Sequence, residues 1–295
     1  MLCSALVLLG ASGVGESAYS LRFKGIGVLY GPSALERFRT SHVAVIGLGG
    51  VGSWAAEALA RSGIGTITLV DLDEVCISNT NRQLHSLVST VGLSKCEVLQ
   101  RRIREINPEC DVRAMAGWVT PSNVDEFVRG AEPKFSAIID AVDGVADKVA
   151  ICSKCVELGV FLVTTGGAGG KRDATAVCTR DVCFVSQDPL LQSVRRMLRS
   201  NEFFPPEVKG PKARNSAWGL QAVSSLEPPV KRVAGWGAES CDTFGTSTFV
   251  TGTYGFAAAE AVASALAMEP LPEGSRYAPL RQRISLERER PSRAC

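Results

Sequence analysis

The stretch His42-Val-Ala-Val-Ile46, Gly47-Leu-Gly49-Gly50-Val-Gly52, Ser53-Trp-Ala-Ala-Glu-Ala-Leu-Ala-Arg61 decides the fold. Val43 to Ile46 is a short β-branched run, the pattern of a strand covered on both faces of a parallel sheet. Gly47-x-Gly49-x-x-Gly52 follows at once, and Val51 to Ser62 then carries Ala, Leu and Glu at helical spacing. The order is strand, glycine turn, helix. Such a turn lets the backbone approach a phosphate, while the helix N-terminus offers free N–H groups and the positive end of its dipole. Thr66 to Val70 reads as a second strand. It ends in Asp71, where a carboxylate can accept hydrogen bonds from a ribose hydroxyl.

A glycine fingerprint alone fits a dehydrogenase that binds NAD(P). The residues past Asp71 change that balance. Asn79, Arg82 and Lys95 fall just beyond the second strand. A nicotinamide site does not need two cations and an amide there. They suit a triphosphate, whose charge must be neutralised while one phosphorus is attacked. Asp73 alternates with Asp71 and points the other way, suited to capping the next segment of chain. His85, one of two histidines, reads as a structural residue.

Outward from this unit the strand–helix alternation continues. Pro32-Ser33 opens a short helix ahead of the first strand. Leu93 to Ile106 is helical, carries Lys95 in its first turn and stops at Asn107-Pro108. Asp111 to Ala116 reads as a third strand, Pro121 to Arg129 as a helix, and Ser136 to Ile139 as a fourth strand. The fourth strand runs into Asp140-Ala-Val-Asp143-Gly144, which places carboxylates in the same crevice as Gly47. Val145 to Leu158 is a helix, and Val160 to Thr165 a fifth strand that runs into a glycine-rich loop. Ala174 to Val185 reads as two more strands, less clearly parallel. Gln187-Asp-Pro189 begins a basic helix with Arg195, Arg196 and Arg199. Ser200 to Pro229 is rich in Pro, Lys and Arg, including Lys209, Lys212 and Arg214, and reads as a loop or insert. Lys231 and Arg232 extend it. These cations fit either a solvated surface or a phosphate-backbone footprint. Phe249 to Met268 is an Ala-rich helix whose small residues suit close packing, as at a dimer interface. Glu273 to Cys295 is charged and apolar-poor, a disordered tail in composition. The fold class expected is α/β: a Rossmann-like, doubly wound, mostly parallel sheet with a smaller C-terminal substrate and dimerisation portion.

The chain has 295 residues, 45% hydrophobic and 21% charged, enough for one large α/β domain with a subdomain. A net charge of +2 does not argue for nucleic-acid binding, so any basic patch would be local. Ten cysteines scattered through expected strands and helices read as reduced thiols packed as small hydrophobes. No apolar run is long enough to span a bilayer. Met1 to Leu9 is apolar but lacks the basic start of a secretory signal and the Arg/Ser pattern of a transit peptide. The expectation is an intracellular protein, with the cytoplasm and the mitochondrion both open.

At this point the chain resembles a known family. GLGGVGSWAAEALARSGIG (47–65), LVDLDEVCISNTNRQLH (69–85) and VGLSKCEVLQRRIREINPE (91–109) are similar to the ThiF/MoeB and ubiquitin-activating group of adenylating enzymes. Arg22-Phe23, Leu29-Tyr30-Gly31, Thr164-Thr-Gly-Gly-Ala-Gly-Gly170 and Gln187-Asp-Pro-Leu190 point to the tRNA threonylcarbamoyladenosine dehydratase branch. The resemblance runs from about Arg22 to Met268. It implies three parts: a 1–21 extension, a 22–269 ATP-binding adenylating domain, and a 270–295 tail. Within the domain, about 40–166 would hold nucleotide and about 167–269 would face substrate and tRNA.

The resemblance also implies roles. Gly47, Gly49, Gly50, Gly52 and Asp71 would hold the nucleotide, Asn79, Arg82 and Lys95 its phosphates, and Asp143 the Mg²⁺ of MgATP, with Asp140 the alternative. Arg22 would reach in trans across a homodimer interface to the partner's ATP. The implied activity is adenylation of the carboxylate of the modified adenosine in tRNA, followed by ring closure with loss of water. Many relatives hold zinc with two Cys-x-x-Cys pairs. Cys152-x-x-Cys155 has no second pair here, so no zinc is expected. Cys241 stands near where related enzymes carry a catalytic or sulfur-relaying thiol, which leaves room for a sulfur-transfer partner. Nothing local depresses its pKa, so the structural reading is favoured. Three alternatives remain: activation of a ubiquitin-like or sulfur-carrier C-terminus, an NAD(P) dehydrogenase, and a non-catalytic nucleotide-binding scaffold.

Overall fold

Three short helices lead into the sheet: α1 (Ala18–Arg22), α2 (Lys24–Tyr30) and α3 (Pro32–Thr40). The computed structural model describes residues 17–200, 204, 217–230 and 244–268. Tyr19 and Phe23 are buried against the body, while Arg22, Val28 and Leu29 stay exposed. The Tyr19 hydroxyl donates to the Gly63 carbonyl at 2.5 Å.

The chain then alternates β1 (His42–Ile46), α4 (Gly52–Arg61), β2 (Thr66–Val70), α5 (Lys95–Ile106), β3 (Asp111–Met115), α6 (Val124–Arg129), β4 (Ala137–Asp140), α7 (Val145–Leu158) and β5 (Phe161–Thr165). These follow the sequence expectation closely. Asn107, ahead of Pro108, closes α5, and Gly159 in a left-handed conformation (φ +70°) closes α7.

Beyond β5 the sequence expectation is corrected twice. Ala174 to Val185 holds one strand, β6 (Val177–Asp181), between two 3-10 turns. The stretch read as a loop or insert contains β7 (Gln221–Ser225), a buried strand of the sheet. Its small polar residues hid it: Ser224 and Ser225 are buried, with no apolar alternation to signal a strand. Between these strands lies α8 (Pro189–Leu198), capped by the Asp188 carboxylate on the Leu191 N–H with Pro189 in the first turn. Last comes α9 (Thr248–Ala267).

The seven strands run in the order β3-β2-β1-β4-β5-β7-β6, all neighbours parallel except β6 against β7. This is the expected doubly wound, mostly parallel sheet. The C-terminal strands extend that same sheet. One apolar layer packs α4, α5 and α9 on one face, and a second packs α6, α7 and α8 on the other. The small residues of α9 turn inward: a Cβ on Gly255 would lie 2.5 Å from the Val51 carbonyl oxygen and 2.7 Å from the Trp54 Cβ. They let α9 seat closely on α4 within one chain. Among the described residues no helix is long and apolar enough to cross a membrane.

Candidate functional site

Crossovers leave β1 and β4 in opposite directions, so a crevice opens at their carboxyl ends, where doubly wound sheets bind ligands. The glycine turn forms one wall. Gly47 adopts φ +86°, and a Cβ there would lie 2.8 Å from the Ala141 carbonyl oxygen. The turn therefore packs directly on the loop that follows β4. A Cβ on Gly52 would fall 1.8 Å from the Gly47 carbonyl oxygen, so no side chain fits.

Asp71 ends β2 with a role not foreseen from sequence. One carboxylate oxygen accepts the Leu48 N–H at 2.7 Å and the other accepts the Asp73 N–H at 2.8 Å. The side chain is 4% exposed, a clasp between the glycine turn and the second strand. The carboxylate offered to solvent is Asp73, 52% exposed. It accepts from Lys95 Nζ at 2.8 Å, and Asp71 Oδ1 lies 3.8 Å from the same nitrogen. Lys95 is buried at the first position of α5, where the helix dipole alone would disfavour a cation. The two carboxylates offset that cost.

Asn79 and Arg82 lie on a tight crossover. Asn79 Oδ1 accepts the Cys76 N–H at 2.9 Å, which fixes the turn. The Arg82 guanidinium donates to Ser78 O and Asn81 Oδ1, both at 2.9 Å. Its aliphatic stem passes over the glycine turn, where a Cβ on Gly50 would lie 3.2 Å from Arg82 Cγ. Trp54 Nε1 donates to the Arg82 carbonyl at 3.0 Å, so this packing residue also pins the crossover. Glycine turn, Arg82, Lys95 and the two aspartates therefore meet at one edge.

Asp143 is exposed on the loop after β4. Asp140, the alternative metal ligand, is fully buried and bound to Lys148 Nζ at 3.0 Å, so it cannot serve. Among the described residues no cluster of three His, Cys, Asp or Glu side chains could hold a metal ion. One exposed carboxylate fits magnesium that arrives with phosphate oxygens and water. Cys152 and Cys155 are buried in the core of α7, where desolvation pushes the Cys155 thiol well up.

Sequence reasoning missed a cavity of about 590 Å³ on the α6 face of β1, β2 and β3. Val70, Met115, Trp118 and Val119 line its end at the carboxyl edge, and His42 and Phe135 line the other. Asn123, just ahead of the six-residue α6, and Glu126 and Phe127 within it also line it. The signal was Trp118, an exposed tryptophan three residues past β3.

On the far side, the 166–171 loop is stitched down. Asp188 accepts the Gly167 N–H at 3.0 Å, and Lys171 donates to the Glu227 carbonyl at 2.8 Å. Burial pushes the Asp188 carboxyl above the usual range. Arg195, read as a possible phosphate contact, donates to the Val185 carbonyl at 2.7 Å and braces the turn after β6. Arg196 stays exposed. His85 is buried with both ring nitrogens unpaired among the described residues, and desolvation, then the Lys95 charge, lowers its pKa to about 4. Arg22 is exposed at the end of α1. Cys241, Lys209, Lys212, Arg214, Lys231 and Arg232 lie outside the described residues.

Residues 23–279 match the ThiF family. The chain is 42% identical to the tRNA threonylcarbamoyladenosine dehydratase of Escherichia coli (strain K12), over 82% of this chain and 92% of that protein. The structure of the E. coli enzyme, TcdA, in complex with ATP superposes with a TM-score of 0.74 at 43% identity, covering 86% of this chain and 97% of that one. The complex with AMP gives 0.75 at 44%, with the same coverage.

Proposed function

The chain belongs to the ThiF family, and from that premise we propose that it is an ATP-dependent tRNA threonylcarbamoyladenosine dehydratase. The observation that carries the reading is Lys95, buried beside the glycine turn and held by two aspartates at the ligand-binding edge of the sheet. The E. coli relative supplies the substrate, and the edge supplies the means to activate a carboxylate with ATP.

The adenine enters the apolar end of the cavity at Val70, Met115, Trp118 and Val119. The phosphates lie along the glycine turn. Lys95 and Arg82 then leave their resting partners for phosphate oxygens, and Asn79 contributes its amide N–H₂. Loss of Lys95 frees Asp73, which becomes the ribose acceptor in place of Asp71. Asp143 would hold the Mg²⁺ carried by ATP, an ion that would supply charge neutralisation of the polyphosphate. The substrate carboxylate attacks the α-phosphorus, pyrophosphate leaves and an acyl-adenylate forms. A nucleophile of the same modified nucleoside then attacks the acyl carbon, AMP departs and the ring closes with net loss of one water. The protein contributes position and positive charge rather than proton transfer. That fits a site with no exposed histidine. The modified base lies in a single-stranded loop, reachable without opening a duplex.

A homodimer completes the site in this reading. Val28 and Leu29 on α2 are 80% and 73% exposed, and Phe249 on α9 is 73% exposed. A second copy would cover these apolar side chains and carry Arg22 to the neighbouring ATP.

The test is to incubate the protein and MgATP with tRNA bearing threonylcarbamoyladenosine, digest to nucleosides and weigh them. An ATP-dependent loss of one water is expected. Unchanged mass with ATP bound would overturn the reading in favour of carrier-protein activation.

A further inference from the structure

Three fully buried polar side chains lie behind the crevice, and no step of the adenylation uses them. Lys148 Nζ on α7 donates to Asp140 Oδ2 at 3.0 Å, to the Asp140 carbonyl at 3.3 Å and to Thr164 Oγ1 at 3.3 Å. The Thr164 hydroxyl donates to the same Asp140 oxygen at 2.7 Å. Lys148, Asp140 and Thr164 are each 0% exposed, and Cys152 and apolar core surround them.

Sealing two charges from water costs several kcal/mol per ion, and apolar residues of similar volume generally do as well or better for stability. The position of the triad suggests what it supplies instead. Asp140 and Thr164 sit at the carboxyl ends of β4 and β5, which are directly paired. The other Asp140 oxygen accepts the Val142 N–H at 3.2 Å, next to Asp143. The same loop backs the Gly47 turn through Ala141. Thr164 leads straight into the Gly166–Gly170 loop.

We propose that Lys148, Asp140 and Thr164 are positioning residues. They fix the nucleotide-side loop after β4 in register with the acceptor-side loop after β5. Their effect would fall on alignment of the attacking carboxylate with the α-phosphorus. ATP affinity, set largely at β1 to β3, would be spared. An offset of about 1 Å between reacting groups costs up to roughly 100-fold in rate.

This inference rests on the adenylation reading, so its test begins with exchange of labelled pyrophosphate into ATP by the wild-type protein with modified tRNA. No exchange there rejects adenylation itself. The variant Asp140→Leu/Lys148→Met/Thr164→Val replaces the triad with apolar groups. Expected are a melting temperature at or above wild type, an ATP KM within about threefold, and kcat lowered about tenfold or more. Thr164→Val alone leaves the ion pair intact, cuts one strand-to-strand tie, and guards against a misfolded triple variant. It is expected to lower kcat about threefold with KM unchanged. Exchange intact in the wild type, with kcat within about twofold of it in Thr164→Val and in any folded triple variant, overturns the inference alone. A rise in KM at unchanged kcat also overturns it.

Discussion

Two regions of this molecule repeat one device with opposite settings. After β2, Lys95 pairs with Asp73, whose side chain is 52% exposed. After β4, Lys148 pairs with Asp140, and both are 0% exposed. Each lysine opens or nearly opens a helix, and each faces aspartate at a strand end. Access of water to the carboxylate separates them. Asp73 can release its lysine at small cost, because solvent takes over the charge. Asp140 cannot, because a carboxylate left alone in the core has nothing to replace the ammonium. The first pair is therefore an exchangeable contact suited to a phosphate, and the second a fixed strut.

The comparison breaks most sharply at Lys148→Met. Stranding Asp140 without its partner is expected to cost about 3–5 kcal/mol and lower the melting temperature on the order of 10 °C. Calorimetry showing a change under about 3 °C would mean that Asp140 does not depend on its ammonium partner, and the strut would be no strut. Lys95→Ala should behave oppositely. Pyrophosphate exchange should fall about 100- to 1,000-fold, while the melting temperature moves only a few degrees, because Asp73 stays hydrated. Wild-type exchange in that variant would remove Lys95 from the site.

A pH titration sharpens the contrast from a neighbouring group. His85 has its pKa lowered to about 4, by burial first and then by Lys95. Its folded value lies below its unfolded value of about 6.5. The unfolded chain thus binds the proton more readily as pH falls. Stability is fully present above about pH 6.5 and lost toward pH 4, by about 3 kcal/mol in all. Urea unfolding across that window should show the loss, and His85→Gln should remove most of it. The smallest effect belongs to Arg196→Ala. Exchange and melting should be unchanged, and the salt slope of tRNA binding should fall by about one. An unaltered slope would leave Arg196 as ordinary surface.

The nucleotide half was legible because its signals are local. Gly47, Gly49 and Gly52 follow a β-branched run at fixed spacing, and five strands with their helices follow from periodicity and stop signals. Asp71 was legible as important but not as a clasp. Its partner, the Leu48 N–H, lies 23 residues away, a pairing no local pattern encodes. Lys148 gave no signal, since a lysine four residues into an amphipathic helix ordinarily faces water. β7 was hidden by composition, for Ser224 and Ser225 replace the apolar residues that mark an inner strand. Arg195 looked like a surface cation and is an internal brace. Asp71, Lys148 and Arg195 each depend on a partner that the local pattern does not mark, and β7 was hidden by its small polar residues.

The placement of α9 has a consequence for synthesis on the ribosome. This helix is the last described element to emerge, yet it seats against α4 directly beneath the glycine turn. Thr251 and Trp54 then grip the Arg82 carbonyl from two sides. A nascent chain that ends before Ser247 has already made every residue of the phosphate-binding edge, but leaves one flank of α4 bare. At about 5–20 residues per second, the interval is short, and across it the half-built edge depends on whatever shelters that flank. The Arg82 carbonyl therefore gains its second donor only once Thr251 has been made, near the end of the described chain.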